Sequence, residues 1–184
     1  MDAKSQRNAS DPSFTGAVGA AWGIIGVFAL IGWAVFRLIQ VAVGAFAYTL
    51  GARHWVFLLA FLLFMLASEG YRGFQKNFSP RVAARARHLR DHPRMGHVLL
   101  APLFCMAYFH ATPRRLMGAY GLTLMIVVLV VTVRQLPQPW HGLVDVGVAA
   151  GLMWGLVTLA VFVYQAFGTE GFSVSPEVPL GEAD

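Results

Sequence analysis

Few side chains in this sequence are of the types that move protons or hold ions, and these lie within or beside long apolar runs. His141 and Asp145 are four residues apart, so they share one face if this stretch is helical. Glu69 follows a second apolar run, and Arg37 interrupts a third. Ionisable residues inside a membrane typically belong to a proton or ion path. His141, Asp145, Glu69 and Arg37 are therefore the candidate residues of such a path.

Both carboxylates also have a simpler structural interpretation. Asp145 lies close to the start of its apolar run, where it can pair with Arg134, and Glu69 is three residues before Arg72. Pairs of this kind need no transported ion. We favour them over the path, which stays an alternative.

Two histidines next to tryptophans are candidates for holding a cofactor. His54 precedes Trp55 and His141 follows Trp140, each at the start of an apolar run. Two facing imidazoles can ligate haem or bind a quinone, although Trp and His are also common where a helix meets the membrane surface. Cys105, Met106 and His110 offer soft donors for Cu(I). We favour the structural interpretation in both cases and expect neither a cofactor nor a metal.

Glycines at helical spacing are candidates for helix packing rather than chemistry. A glycine without a side chain lets a second backbone approach closely in lipid, and G-x-x-x-G spacing puts such positions on one face. Packing within the chain is favoured over packing between copies. The residues at this spacing are Gly19, Gly23, Gly147, Gly151 and Gly155.

The elements that must position these residues are long apolar segments. Residues 13–36, 116–133 and 146–169 contain no charged side chain, and the whole sequence is 57% hydrophobic but only 12% charged. A soluble domain has about a quarter of its residues charged, so a bilayer is the expected environment. We predict four spanning helices, over residues 13–36, 55–68, 116–133 and 142–167. Residues 38–50 either extend the first helix or lie at the surface, and residues 98–109 are predicted to span halfway.

A basic segment, residues 70–95, separates the second span from the half-spanning one. Ser79 and Pro80 predict the start of a short interfacial helix. Two hairpins put eleven of the fourteen Lys and Arg residues on one side, which the positive-inside rule assigns to the cytoplasm together with both termini. Anionic lipid is the expected partner and nucleic acid is not. The lipid-binding candidates are Arg72, Lys76, Arg81, Arg85, Arg87, Arg90 and Arg94.

The sequence therefore predicts an all-α integral membrane protein of the inner membrane: four transmembrane helices in two hairpins, a short basic interfacial helix and a half-spanning segment. Residues 1–12 are expected to be a disordered polar tail, residues 13–167 the membrane domain and residues 168–184 a disordered acidic tail that can fold over the basic segment. A single cysteine excludes an intrachain disulfide.

No motif in the sequence indicates catalysis. The preferred function is a non-catalytic component that contacts anionic lipid and either belongs to a larger membrane complex or forms a homo-oligomer. A small proton- or ion-coupled transporter is the alternative, and a haem- or quinone-binding protein comes third.

Overall fold

The computed structural model describes residues 14–169 and 172–178, and within these ranges the regular structure is entirely helical. The predicted N-terminal tail and most acidic residues of the predicted C-terminal tail lie outside the described residues. The elements in chain order are α1 (Phe14–Ala45), α2 (Ala52–Met65), a π-helix (Leu66–Phe78), α3 (Ser79–Asp91), α4 (Met95–Leu99), α5 (Ala101–Cys105), α6 (Pro113–Val133) and α7 (Trp140–Gly168).

Four helices in the described part of the chain are long and apolar enough to cross a membrane. They are α1, the continuous helix Ala52–Asp91, α6 and α7. Their number and approximate positions agree with the predicted spans. The chain is thus a helical, multi-pass membrane protein.

The first helix settles the alternative that residues 38–50 left open. α1 runs unbroken for 32 residues through Arg37 and ends at Ala45. Arg37 is exposed on its outer face. Residues 38–45 extend the first helix instead of forming a separate surface segment, and residues 46–50 lie beyond its end.

The second predicted span continues directly into the basic segment. The peptide N–H of Ser79 donates to the carbonyl of Phe74, five residues earlier, so α2, the π-helix and α3 form one helix without a break. Pro80 lacks an N–H and would crowd the carbonyl four residues before it, but the wider π turn relieves this clash. Ser79 and Pro80 therefore mark a change from π to α geometry, and the basic helix predicted to start there is not a separate one.

Residues 95–105 do not form a spanning helix. They form α4 and α5, two helices of five residues each, which pack against the first half of α1. Three glycines make this approach close: a Cβ on Gly19 would lie 2.9 Å from Val98, and one on Gly23 would lie 2.8 Å from Cys105. Gly26 faces Pro102 at still closer range.

The contacts along the bundle fix the relative directions of the helices. Ala45, at the end of α1, lies beside Gly142 at the start of α7, whereas Gly16 lies beside Arg90. Arg90 also places its guanidinium 5.1 Å from the ring centre of Phe167, near the end of α7. α1 thus runs opposite to α7, and one end of the bundle collects the start of α1, α3, residues 92–112 and the end of α7. We call this the basic end.

Most of the buried apolar core lies towards the basic end. Side chains from α1, α3, α5 and α7 form one cluster, namely Val27, Ile31, Val35, Val82, Ala86, Leu89, Ala101, Phe104, Cys105 and Leu159. A much smaller cluster of Ala45, Leu58 and Leu143 closes the opposite end. Tertiary burial therefore stabilises the basic end more than the opposite end.

Helix α6 lies apart from this packing. None of its 21 residues is buried, and its Leu, Val, Ile and Met side chains face outwards. Two tyrosines connect its first half to the bundle: the Tyr108 hydroxyl bonds that of Thr123, and the Tyr120 hydroxyl donates to the Tyr108 carbonyl. Its side chains are thus left to lipid or to another helix.

Adding one methyl group at a packed glycine should destabilise the bundle, whereas the same change on α6 should not. A Cβ on Gly155 would lie 2.5 Å from two ring carbons of Phe74, and a Cβ on Gly121 would meet no atom within 4 Å. We expect Gly155→Ala to cost about 1–3 kcal/mol through overpacking and to lower the melting temperature in detergent. Gly121→Ala is the control and should leave it unchanged or slightly higher. Equal melting temperatures for the two variants would contradict this packing.

Candidate functional site

A buried arginine organises the basic end. Arg85 of α3 is 1% exposed. Its Nε donates to the Phe104 carbonyl at 2.6 Å, and its Nη2 donates to the carbonyls of Phe109 and His110 at 3.1 and 3.0 Å. Its Nη1 reaches the Pro176 carbonyl at 3.0 Å, and the guanidinium lies 4.2 Å from the ring centre of Phe104. A buried cation is thus satisfied by backbone oxygens and an aromatic face.

The backbone around Arg85 bends so that its carbonyls face inwards. Ala107 and His110 have φ angles of 63° and 53°, and Glu177 in the tail has a φ of 51°. Side chains other than glycine adopt this left-handed region only where surrounding contacts compensate for the strain. The bonds to Arg85 provide that compensation at His110 and beside Glu177.

A cavity lined by histidines opens next to this arginine. Its volume is about 140 Å³, and its lining includes His88, His92, Arg94, His97, His110 and Val178. The rings of His88 and His92 have centres 4.9 Å apart, and those of His97 and His110 are 4.5 Å apart. The Phe104 ring lies 4.7 Å from His97, nearly parallel to it. We call this space the histidine cavity.

The predicted lipid-binding cations fall into three groups. Arg72, Lys76 and Arg94 are exposed. Arg81 and Arg90 are half-buried, and they donate hydrogen bonds to Asn77 at 2.7 Å and to Asp91 at 2.8 Å, respectively. Arg87 is also half-buried, and one of its terminal nitrogens is enclosed without a hydrogen-bond partner among the described residues.

Arg85 differs from the other six cations, because its charge is enclosed within the fold. Its side chain cannot meet a lipid headgroup while it binds four carbonyls. The lipid-binding role predicted for Arg85 is therefore replaced by a structural one.

Part of the acidic tail lies against the basic end. Arg115 donates to both carboxylate oxygens of Glu177, one of them at 2.7 Å, and Val178 packs against the buried core. The hydrogen bonds from Arg115 lower the pKa of Glu177, burial opposes this shift, and the charges of Arg115, Arg81 and Arg85 reinforce it. Residues 172–178 thus connect α3 with the start of α6.

Three of the four candidate residues for an ion path lie on α7 or in contact with it. Asp145 is 5% exposed, and one of its oxygens lies 3.4 Å from His141 Nε2. Glu69, on the π-helix, packs against Gly151, about 9 Å further along α7 at 1.5 Å per residue. Arg37 is exposed on α1 and does not join them.

The candidate cofactor ligands are already engaged in the fold. His54 is 6% exposed, accepts the Gly51 N–H at 3.0 Å through Nδ1, and has its ring 4.7 Å from Trp140. Cys105 is buried in the core against Gly23. Within the described ranges, no three His, Cys, Asp or Glu side chains are grouped so that they could hold a metal ion.

The glycines on α7 face the neighbouring helix of the same chain. Gly147 meets Phe61 and Met65, Gly151 meets Glu69, and Gly155 meets Phe74. The glycines of the first helix, Gly19 and Gly23, meet α4 and α5. All five occupy contacts within one chain.

Sequence reasoning missed the histidine cavity. The sequence did hold one indication of it, the close spacing of His88, His92 and His97. His88 and His92 are four residues apart, about one helical turn. The third histidine lies beyond Pro93, where a helix was expected to end, so nothing in the sequence indicated that the chain turns back. Comparison with known proteins finds no matching family, no matching curated protein and no matching solved structure.

Replacing Arg85 should disrupt the basic end. Arg85→Met removes the donors for four backbone carbonyls, and an unsatisfied buried polar group costs about 1–3 kcal/mol. The variant also avoids the free-energy cost of burying a charge, which offsets part of this loss. We therefore expect the free energy of unfolding to fall by at least about 2 kcal/mol. A lower melting temperature and faster proteolysis within residues 95–112 are the measurements.

Arg81→Met is the matched control, because Arg81 lies one turn earlier on the same helix and is half-exposed. If it destabilises the protein as much as Arg85→Met does, Arg85 has no special role.

The contact between the tail and Arg115 should weaken in acid. The pKa of Glu177 is lowered in the folded protein, so the ion pair contributes stability above the ordinary carboxyl pKa and loses it as pH falls through the lowered value. We expect the protection of the amides in residues 172–178, relative to their intrinsic exchange rates at each pH, to fall below about pH 4.5. Glu177→Gln should show fast exchange at neutral pH already, with little further change in acid. Protection that does not depend on pH in the wild type would contradict this assignment.

Proposed function

We propose that this protein is a non-catalytic membrane component whose basic end binds anionic lipid headgroups at the inner face of the plasma membrane. The observation that carries the proposal is the set of exposed cations at and near that end. Arg72, Lys76 and Arg94 are exposed, and the two acids described there, Asp91 and Glu177, are already paired with Arg90 and Arg115. Arg72 and Lys76 therefore present positive charge to an anionic surface.

The dimensions of α6 support this position in the bilayer. Its 21 residues extend about 31 Å at 1.5 Å per residue, close to the thickness of the hydrocarbon core. Arg114 and Arg115 lie at its first turn, and Arg134 follows its last residue. With the helix crossing the membrane, these arginines lie at the two headgroup layers, and the basic end lies at the layer that Arg115 marks.

The positive-inside rule assigns that layer to the cytoplasm. Arginine and lysine are concentrated in cytoplasmic loops of inner-membrane proteins, and the basic end also holds the start of α1 and the end of α7. Both termini are then cytoplasmic. Each cation close to an anionic leaflet contributes up to about 1 kcal/mol of attraction.

The separate position of α6 supports a role in a larger assembly. A helix without a buried residue packs little within its own chain, so its surface is open to a partner helix of another protein or of a second copy. Neutral lipid can also cover it, since association in a bilayer has no hydrophobic driving force. The component is accordingly either accessory to a complex or self-assembling.

Neutralising the exposed cations should weaken lipid binding. We expect the triple variant Arg72→Gln, Lys76→Gln, Arg94→Gln to bind short-chain phosphatidylglycerol at least ten-fold more weakly, since three cations supply up to about 3 kcal/mol. Binding to protein purified in neutral detergent can be measured by thermophoresis, and added salt should weaken the wild type more than the variant.

The matched control removes three exposed cations elsewhere in the chain, as Arg37→Gln, Arg53→Gln, Arg134→Gln. It should retain near-normal affinity. An equal loss in both triple variants would show a general effect of net charge and would count against the proposal.

A further inference from the structure

We propose that Arg115 and Arg81 form a binding site for the phosphate group of an anionic lipid headgroup, and that the carboxylate of Glu177 occupies this site until a headgroup displaces it. The inference rests on the proposed function, because it names one place at the basic end where a headgroup binds and the segment of the chain that competes for that place. We call residues 172–178 of the tail the strap.

The pair between Arg115 and Glu177 has the geometry with which an arginine binds an oxyanion. Arg115 donates from Nε to one carboxylate oxygen and from Nη2 to the other, the second bond at 2.7 Å. A guanidinium makes the same two-bonded pair with two oxygens of a phosphate. A headgroup phosphate can therefore take the place of the carboxylate while the Arg115 side chain keeps its direction.

The site holds more positive charge than Glu177 neutralises. The hydrogen bonds from Arg115 lower the pKa of Glu177, and burial opposes this shift. The charges of three arginines, Arg115, Arg81 and Arg85, lower it further. Arg81 donates one hydrogen bond among the described residues, from Nη2 to Asn77, so its other nitrogens are left for a ligand. One carboxylate therefore faces several cations, and a phosphate there meets a positive potential.

The site is accessible to a lipid at the correct depth. The side chains of Arg115 and Glu177 are 36% and 30% exposed, so the pair lies at the surface of the bundle. Arg115 belongs to the first turn of α6, which reaches a headgroup layer when this helix crosses the membrane. The phosphate group of a lipid lies at the same level. The competing carboxylate and the headgroup thus approach the arginine from the same interface.

Few contacts hold the strap, so a ligand can displace it. An ion pair this open to water contributes little to stability, and the φ of 51° at Glu177 is unfavourable for a residue with a side chain. Only one of the four carbonyls bound by Arg85 belongs to the strap, that of Pro176. The other three lie within residues 104–110 and stay bound when the strap leaves. Val178 adds one apolar contact with the core.

The strap competes efficiently because it is part of the same chain. It follows α7, whose end lies beside α3, since the Arg90 guanidinium is 5.1 Å from the ring centre of Phe167. A short tether gives the carboxylate an effective concentration in the millimolar range. The apparent affinity for a headgroup is then reduced by the fraction of molecules in which the site is free. Removing the carboxylate should restore the full affinity.

The test compares the full-length wild type with Glu177→Gln in neutral detergent at pH 7. The probes are short-chain phosphatidylglycerol, short-chain phosphatidylcholine and inorganic phosphate, and thermophoresis gives the affinities. We expect Glu177→Gln to bind phosphatidylglycerol about five-fold more tightly, which corresponds to a site that the strap occupies in about four of five wild-type molecules. Phosphatidylcholine, whose choline cancels the phosphate charge, should bind weakly to both proteins.

Matched variants locate the gain in affinity at Arg115. In an Arg115→Gln background, Glu177→Gln should bring no gain, because the site has lost its arginine. In an Arg134→Gln background the gain should remain, since this exposed residue follows the far end of α6 and the net charge is the same. Asp91→Asn removes another acid at the basic end and should stay within about two-fold of the wild type, because salt screens a charge outside the site.

Displacement of the strap can be followed directly by hydrogen exchange. Saturating phosphatidylglycerol should lower the amide protection of residues 172–178 in the wild type, whereas the protection of α7 should not change. Increased protection of the strap on binding lipid would overturn the inference.

The outcomes distinguish this inference from the proposed function. If Glu177→Gln does not bind phosphatidylglycerol more tightly, or gains equally in the Arg115→Gln background, the strap does not compete for this site and the inference is wrong. Lipid binding by the exposed cations still stands if their triple variant loses affinity. If only inorganic phosphate shows the gain and no lipid binds, a lipid is not the ligand and the proposed function fails as well. If neither protein binds any probe, both are wrong.

Discussion

The bonds of the buried Arg85 guanidinium are the interaction on which the architecture of the basic end depends. A cation taken out of water is costly unless its donors are satisfied, and here backbone carbonyls from two distant segments satisfy it. These carbonyls belong to α5 and the chain that follows it, and to the tail after α7. One side chain on α3 thereby holds together the turn that carries His110 and the tail that carries Glu177. The histidine cavity exists because this turn is held in place.

The two ends of the bundle are stabilised by different physical means. At the basic end, apolar side chains from α1, α3, α5 and α7 form a core like that of a soluble domain. Towards the opposite end, large apolar side chains face outwards, and close contacts at Gly142 and Gly147 replace a broad core. A bilayer makes this arrangement stable, because exposing Leu and Val side chains to a hydrocarbon solvent has no free-energy cost.

The π-helix joins these two differently packed ends of the bundle within one continuous helix. Its wider turn lets Pro80 follow without a break, and it carries Glu69 and Phe74 against the glycines of α7. Long π-helical stretches are rare and are frequently found at functional sites. Here the π-helix separates an apolar segment from a basic one without a loop, so α3 keeps a fixed direction and Arg85 a fixed position.

The sequence by itself determined the features that depend on local composition: an all-helical membrane protein, four long apolar helices and cations concentrated in one segment. Runs of uncharged residues have few stable arrangements other than a helix in lipid, which is why these predictions succeeded. The tertiary structure alone decided that residues 38–45 extend α1, that the basic segment continues the second helix, and that Arg85 is buried. It also brought His88, His92, His97 and His110 around one cavity. These features depend on contacts between residues distant along the chain, and neither periodicity nor charge pattern encodes which carbonyls a given arginine will meet.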